Sequence, residues 1–212
     1  MEAELTATAL TRVRTIAVAL SGRSVFPIDG YHLSESPLPP AASSGTWLSA
    51  APTMFTLGDQ DGAKVLYGFV RDSRDFVSLA ATARVRVDSV APTVVISVPK
   101  KDARLAQLTQ IKRTKSDPAP RSGITSERYA IRMKQGALCK WWKPATERLV
   151  AGKCNKPRWF GLPPGRRWSQ AIGTLDDAGL YTLLVQATDR ARNVGKASRR
   201  FAIVAAGVPA RR

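Results

Sequence analysis

The chain has 212 residues, 44% of them hydrophobic, and a formal net charge of +17 at pH 7. This length has room for two domains of about 100 residues, each large enough for its own core. The hydrophobic content excludes general disorder, and no window longer than about ten residues has the apolar face of an amphipathic helix. Short β-branched runs separated by Gly, Pro, Ser and Asp predict an all-β fold of the sandwich or barrel type.

The first half is predicted to be a series of strands and turns. Residues 1–14 are polar and indicate a frayed lead-in or the remnant of a preceding strand. Ile16, Val18 and Leu20 form one face of the first clear strand because apolar side chains recur at every second residue. Further strands are expected at 30–34, 64–71 and 77–87.

Residues 84–99 mark the junction between two domains. Val85 and Val87 alternate with charged residues, and the alternation restarts at Val94. Proline lacks a donor for the strand ladder, so Pro92 marks a strand edge or a joint. We therefore predict two β domains at 1–91 and 92–207, followed by a basic tail at 208–212.

The second half is predicted to repeat this pattern with larger loops. Its clearest strand has Tyr129, Ile131 and Met133 on the buried side, alternating with Arg132 and Lys134. Other strands are expected at 93–98, 105–112, 180–188 and 201–204.

The positive charge belongs almost entirely to the second half. Residues 1–92 contain 8 Lys and Arg against 9 Asp and Glu, so 8 − 9 = −1, whereas residues 93–212 contain 25 against 7, so 25 − 7 = +18. Such asymmetry favours a polyanionic neighbour such as a wall polymer, acidic glycan, membrane surface or nucleic acid. The alternative is a solvated basic face with no specific partner.

Two cysteines, Cys139 and Cys154, are separated by 14 residues. In a secreted domain they would form a disulfide that closes a hairpin or loop, and the alternative is two free buried thiols. The acidic, alternating N-terminus is not a signal peptide, so any export signal is expected upstream of Met1 in a longer polypeptide. No apolar run approaches the ~20 residues that span a bilayer.

Cations and tryptophans are interleaved in residues 140–168. Such a surface could stack on sugar rings or bases while its cations neutralise acidic groups. The competing interpretation is core and loop packing, because a sandwich core commonly contains one or two tryptophans. The candidate polyanion or glycan surface consists of Lys140, Trp141, Trp142, Lys143, Lys156, Arg158, Trp159, Arg166, Arg167 and Trp168.

No catalytic, metal or cofactor site is predicted. His32 is the only histidine, and it has no nucleophile elbow beside it. Asp59 and Asp61 resemble part of a calcium loop, but no acidic residue completes it. We therefore expect a protein that is not an enzyme and that needs no cofactor.

An internal repeat indicates two domains of one kind. Residues 65–78 align with residues 182–195, each being an apolar strand, an Asp that opens a turn, and a Val followed by a small residue. Asp72 and Asp189 are expected to accept backbone N–H groups within these turns.

A further signal is carried by residues 31–36, Trp47, 61–72, the junction 88–93, 179–183 and 187–193. These stretches resemble the tandem immunoglobulin-like and fibronectin type III-like modules of bacterial secreted and surface proteins. Asp75 and Arg192 stand where the turn of that family usually has glycine. The resemblance implies two tandem immunoglobulin-like β-sandwiches joined by a short linker, in an extracellular or cell-surface setting.

The function that this implies is non-catalytic. We expect a spacer or adhesion module of an exported bacterial protein that contacts anionic cell-surface polymers and adjoins further domains of its parent polypeptide. The alternatives are a carbohydrate-binding accessory module of a secreted hydrolase and, third in order, a basic nucleic-acid-binding protein.

Overall fold

Alternating apolar residues build the strands, as in the segment of Ile16, Val18 and Leu20, where each is buried and its neighbours are exposed. The computed structural model describes residues 1–163, 165 and 167–205, with Arg167 and Trp168 described by their backbone alone. Within this part of the chain the one helix is a short 3-10 turn, Pro144–Thr146. The predicted all-β fold is confirmed.

The chain divides into two compact units, Met1–Val90 (unit 1) and Ala91–Arg212 (unit 2). This division falls one residue from the boundary expected between 91 and 92. The basic tail at 208–212 lies outside the described residues.

Unit 1 is a pair of sheets. Their strand orders are β1-β3-β5 and β2-β7-β6-β4. The strands are β1 (Glu2–Ala7), β2 (Leu10–Thr11), β3 (Thr15–Arg23), β4 (Ile28–Ser34), β5 (Met54–Thr56), β6 (Gly62–Asp72) and β7 (Ala81–Val87).

Residues 1–14 were expected to be a frayed lead-in or the remnant of a preceding strand, and the structure has a paired strand here. Glu2–Ala7 pairs antiparallel with β3 along its whole length. Leu5 and Ala7 pack against the core that includes Ile16 and Val85. These apolar side chains alternate with polar ones, so this segment has the same period-2 pattern as the later strands.

Unit 2 also has two sheets. The larger has the strand order β13-β12-β11-β16-β17-β9, with β14 paired to β11, and the smaller has the order β15-β10-β8. The strands are β8 (Thr93–Val98), β9 (Ala103–Leu105), β10 (Leu108–Ser116), β11 (Ile124–Gln135), β12 (Leu138–Lys143), β13 (Arg148–Gly152), β14 (Phe160–Gly161), β15 (Arg167–Leu175), β16 (Gly179–Asp189) and β17 (Val194–Ile203).

The core of unit 2 lies between these sheets. Ile111 and Ile172 come from the smaller sheet, and Ile131 and Leu183 come from the larger one. Tyr181 also points inward, and its hydroxyl donates a hydrogen bond to the carbonyl O of Asp177 at 2.7 Å. This back-bonded tyrosine at a strand start is a feature of immunoglobulin-like sandwiches.

A buried ion cluster joins the two sheets of unit 2. Glu127 on β11 accepts hydrogen bonds at Oε2 from Arg113 Nη2 and Lys115 Nζ on β10. The side chains of Arg113 and Glu127 are 1% and 2% exposed. Burial lowers the pKa of Arg113, an effect that the neighbouring Glu127 carboxylate opposes.

The two repeated turns have matching hydrogen bonds. In unit 1 the N–H of Phe76 donates to Asp72 Oδ1, and in unit 2 the N–H of Asn193 donates to Asp189 Oδ1. Asp75 and Arg192 hold equivalent left-handed conformations, with φ of 64° and 69°. Glycine is usual at this position in the resembling family because the left-handed region costs it no steric penalty.

The carboxylate of Asp72 makes the stability of this turn depend on pH. Although desolvation by itself raises the pKa of Asp72, hydrogen bonds from the Ser24 hydroxyl and from the N–H groups of Arg74 and Phe76 lower it overall. The folded-state pKa thus lies below the unfolded one. The carboxylate therefore stabilises the fold above the unfolded pKa, and this stabilisation is lost as the pH falls through the folded-state pKa.

Asp72→Asn is accordingly expected to destabilise unit 1 at pH 7 and to lose most of this effect in acid. Urea unfolding of both proteins between pH 7 and pH 2 measures the difference. Asp75→Asn is the matched control, because the Asp75 side chain is 71% exposed in the same turn. A difference between wild type and Asp72→Asn that stays constant with pH would contradict the prediction.

Both units are β-sandwiches, and they share the same turn. The protein therefore has the fold of tandem immunoglobulin-like modules. Among the described residues, none forms a helix with the length and apolar character needed to cross a membrane.

Candidate polyanion-binding face

Two tryptophans of the sequence-predicted surface are buried. Trp142 is 1% exposed within the sandwich core, and its Nε1 donates a hydrogen bond to the carbonyl O of Ile172 at 2.8 Å. Trp141 is 2% exposed, and its Nε1 donates to the carbonyl O of Lys153 at 3.2 Å. Successive side chains of β12 point to opposite faces, and both faces are covered here. Neither ring is therefore available to a ligand.

The predicted disulfide between Cys139 and Cys154 is present, with a Cα–Cα distance of 5.2 Å. It ties the segment 153–160, which we call the flap, to β12. The flap approaches Trp141 closely: Lys153 accepts its hydrogen bond, and a Cβ on the preceding Gly152 would lie 2.8 Å from its ring. The disulfide thus holds the cover of an outward-facing tryptophan in place.

The other predicted residues that the structure describes lie on different elements of unit 2. Lys140 and Lys143 are half-buried on β12, and Lys156 and Arg158 are exposed on the flap. Arg167 and Trp168 pair with β10 in the smaller sheet, whereas β12 belongs to the larger sheet. Arg166 lies outside the described residues. The structure therefore divides the predicted group between two sheets.

A different set of cations does converge, on the outer face of the larger sheet. Arg132, Thr182 and Arg200 occupy one row across β11, β16 and β17. Strands in a sheet lie about 4.8 Å apart, so the two arginines flank Thr182 at a backbone separation of about 10 Å. Lys134 follows Arg132 on the same face of β11, and Arg104 on β9 pairs with Ala202 beside Arg200.

These four basic residues line one open groove of about 700 Å³. Asp102 is the one carboxylate among its described lining residues. No ion pair joins Arg104, Arg132, Lys134 or Arg200 to any described residue. Four like charges beside a single carboxylate repel one another on balance, so an anion in the groove would relieve that repulsion.

The groove continues along β17. A second cavity of about 380 Å³ shares Asp102 and Arg200 with the first and reaches Ser198. A third, of about 340 Å³, shares Ser198 and ends at Lys196 and Trp159. Leu180 to Gln186 on the neighbouring β16 span these cavities, a length of about 20 Å at the rise of an extended strand.

Unit 1 differs in its charge balance. Three of its basic side chains form ion pairs with carboxylates, Arg14–Asp61, Lys64–Glu35 and Arg71–Asp29. Residues 1–92 are near neutral, so the excess of positive charge belongs to the second half of the chain.

The alternation in β11 was the sequence signal that could have located this face. Arg132 and Lys134 are the outward partners of Ile131 and Met133, but their meaning depends on which strands lie beside them. Arg200 and Arg104 are distant in sequence and join them only through the sheet order. The interleaved segment at 140–168 was denser in sequence, but its strands β12 and β15 belong to different sheets.

The comparisons with known proteins find similar solved structures but no matching family. No protein-family model matches the chain, and no curated protein matches it. Among solved structures, it is similar to the fibronectin(III)-like modules of CbhA from Clostridium thermocellum, with 15% identity and a TM-score of 0.39 over 98% of each chain.

Two further similar structures are a tetra-tandem repeat from the extending region of a large adhesion protein and the D00-D0 domain of intimin. The first has 14% identity and a TM-score of 0.38, covering 96% of this chain and 49% of that one. The second has 10% identity and a TM-score of 0.38, covering 94% and 99%. At these TM-scores the superpositions are loose, and we infer function from the chain's own residues.

Proposed function

We propose that this protein is a non-catalytic tandem module that adheres to an anionic polymer through the outer face of the larger sheet of unit 2. The observation that carries this proposal is the groove in which four cations lie beside one carboxylate, without an ion pair to any described residue. A polyanion supplies the missing counter-charges, and electrostatic attraction also accelerates its encounter with the face.

An extended polymer fits the groove better than a small anion does. The three cavities are open and follow one another along β17, with basic residues in each. A single small anion would meet only one group of cations, whereas a chain would meet them in succession. Repeated weak contacts along one chain combine into useful avidity.

A location outside the reducing cytoplasm belongs to the same proposal. Disulfides persist in oxidising compartments, and the Cys139–Cys154 bond holds the flap over Trp141. Unit 1, with its near-neutral charge, would then act as a spacer that presents unit 2 to its polymer. Neighbouring domains of a longer polypeptide would supply any catalysis.

The test is the charge-reversal variant Arg132→Glu/Arg200→Glu. We expect its affinity for an immobilised anionic polysaccharide to fall by about tenfold or more, because each reversal removes an attraction and adds a repulsion. Affinity is measured at several salt concentrations, since added salt screens such contacts. The matched control is Arg23→Glu/Arg84→Glu, which makes the same change in net charge at exposed positions of unit 1.

Equal losses in the two variants would show that only net charge matters, and no loss in the first would show that the groove is not the contact. Either result contradicts the proposal. The same proteins tested on duplex DNA address the third alternative, which requires a salt dependence set by the number of phosphate contacts.

A further inference from the structure

We infer, resting on the proposed function, that the polymer is a linear polysaccharide of carboxylated sugars and that Trp159 is the platform for one of its rings. The cation groove ends at a part of the same face with different chemistry. There Trp159 and Leu184 contribute apolar surface beside Gln186, Lys196 and Ser198. A fully ionised chain such as polyphosphate would gain no favourable contact from this apolar surface.

The Trp159 ring is held in place before any ligand arrives. The guanidinium carbon of Arg128 lies 4.7 Å from the ring centroid, which is a cation–π distance. Arg128 Nε in turn donates a hydrogen bond to Gln186 Oε1 at 3.0 Å. The next residue, Phe160, pairs with Tyr129 on β11 and fixes the end of the flap. A preorganised ring loses little conformational entropy on binding.

The groups at this end match an acidic sugar. The C–H faces of a sugar ring are apolar and pack on aromatic and aliphatic side chains, while its hydroxyls need hydrogen-bonding partners. Gln186 and Ser198 supply such partners, and Lys196 supplies a counter-charge for a carboxylate. The exposed Lys196 forms no ion pair with any described residue.

Single-stranded nucleic acid fits this arrangement less well. Proteins that bind it offer aromatic side chains for successive bases along a basic groove. Three aromatic residues line the three cavities among the described residues, but Tyr181 and Phe201 are buried in the core. Trp159 is therefore the one aromatic ring available there, and it lies at one end. One ring beside hydrogen-bonding groups suits one sugar better than a stack of bases.

The experiment compares Trp159→Ala with wild type on two probes, polygalacturonate and linear inorganic polyphosphate of similar charge. We expect Trp159→Ala to bind polygalacturonate about tenfold more weakly, the size of one lost stacking contact, and to bind polyphosphate unchanged. Leu138→Ala is the matched control, because Leu138 is an exposed apolar residue of unit 2 that does not line the groove.

Leu184→Ala is a second variant that alters the apolar surface without changing the flap, since Leu184 lies on β16. It is expected to weaken polygalacturonate binding about threefold with polyphosphate binding unchanged. Circular dichroism and thermal unfolding check that each variant is folded.

The outcomes separate this inference from the proposed function. Equal weakening on both probes, or no weakening on either, in folded Trp159→Ala and Leu184→Ala would overturn the sugar platform. Arg132→Glu/Arg200→Glu is expected to weaken both probes. If it weakens neither, the proposed function itself fails, whatever Trp159 does.

Discussion

Trp142→Ala is expected to lower the free energy of unfolding of unit 2 by about 3–5 kcal/mol, the usual cost of truncating a buried large aromatic residue. Trp142 is among the largest fully buried side chains, and truncation removes its packing and its hydrogen bond to Ile172. Urea unfolding followed by circular dichroism measures the shift of the unit 2 transition. A loss of this size would leave unit 2 close to the stability limit of a single domain.

The unfolding of unit 1 is an internal control, because Trp142 belongs to the core of unit 2. Leu138→Ala provides a second control at a 72% exposed position on the same strand and is expected to have an effect within about 0.5 kcal/mol. A Trp142→Ala protein with wild-type stability would mean that the ring is not in the core and would reopen its role as a ligand contact.

Glu127→Ala is expected to destabilise unit 2 by about 3–5 kcal/mol, because it leaves the buried guanidinium of Arg113 without its carboxylate. The ammonium group of Lys115 would remain close to that guanidinium, and its side chain is 13% exposed. Removing one member of a buried ion cluster lowers the free energy of unfolding by more than the whole cluster contributes to it, since the charge that remains stays desolvated.

The double variant Arg113→Met/Glu127→Leu tests this reason. Replacing a buried ion pair by apolar residues of similar volume is often neutral or stabilising, so we expect the double variant to recover most of the loss. Urea unfolding of Arg113→Met, Glu127→Leu and the double variant completes the cycle. Additive losses would show that the two side chains do not depend on each other.

Local patterns predicted strands such as β3, β8 and β11, because a strand with one buried face imposes period 2 on its own sequence. Strands β12, β13 and β15 were not predicted, and the strand expected at 105–112 spans the break between β9 and β10. Ile16 to Leu20 and Tyr129 to Met133 follow this period-2 rule, and so does β1. The disulfide could also be predicted, since the chain has only two cysteines. Asp72 and Asp189 open matching turns because an Asx side chain bonds to its own local backbone.

The candidate site was harder because it depends on the order of strands in the sheet. The tryptophans at 141 and 142 looked equally available in sequence, but one entered the sandwich core and the other was covered by the flap. The cations at 104, 132 and 200 are unremarkable separately and become a group only when β9, β11 and β17 lie in one sheet. No local rule specifies that neighbourhood.

The disulfide has a consequence for proteolysis. The loop that it closes contains exposed Arg148 and Lys153, which are cleavage sites for trypsin-like enzymes. A cut at either position leaves both new ends joined through Cys139 and Cys154. The severed flap would remain attached above Trp141, so a protein nicked at this loop would keep its covalent continuity until the bond is reduced.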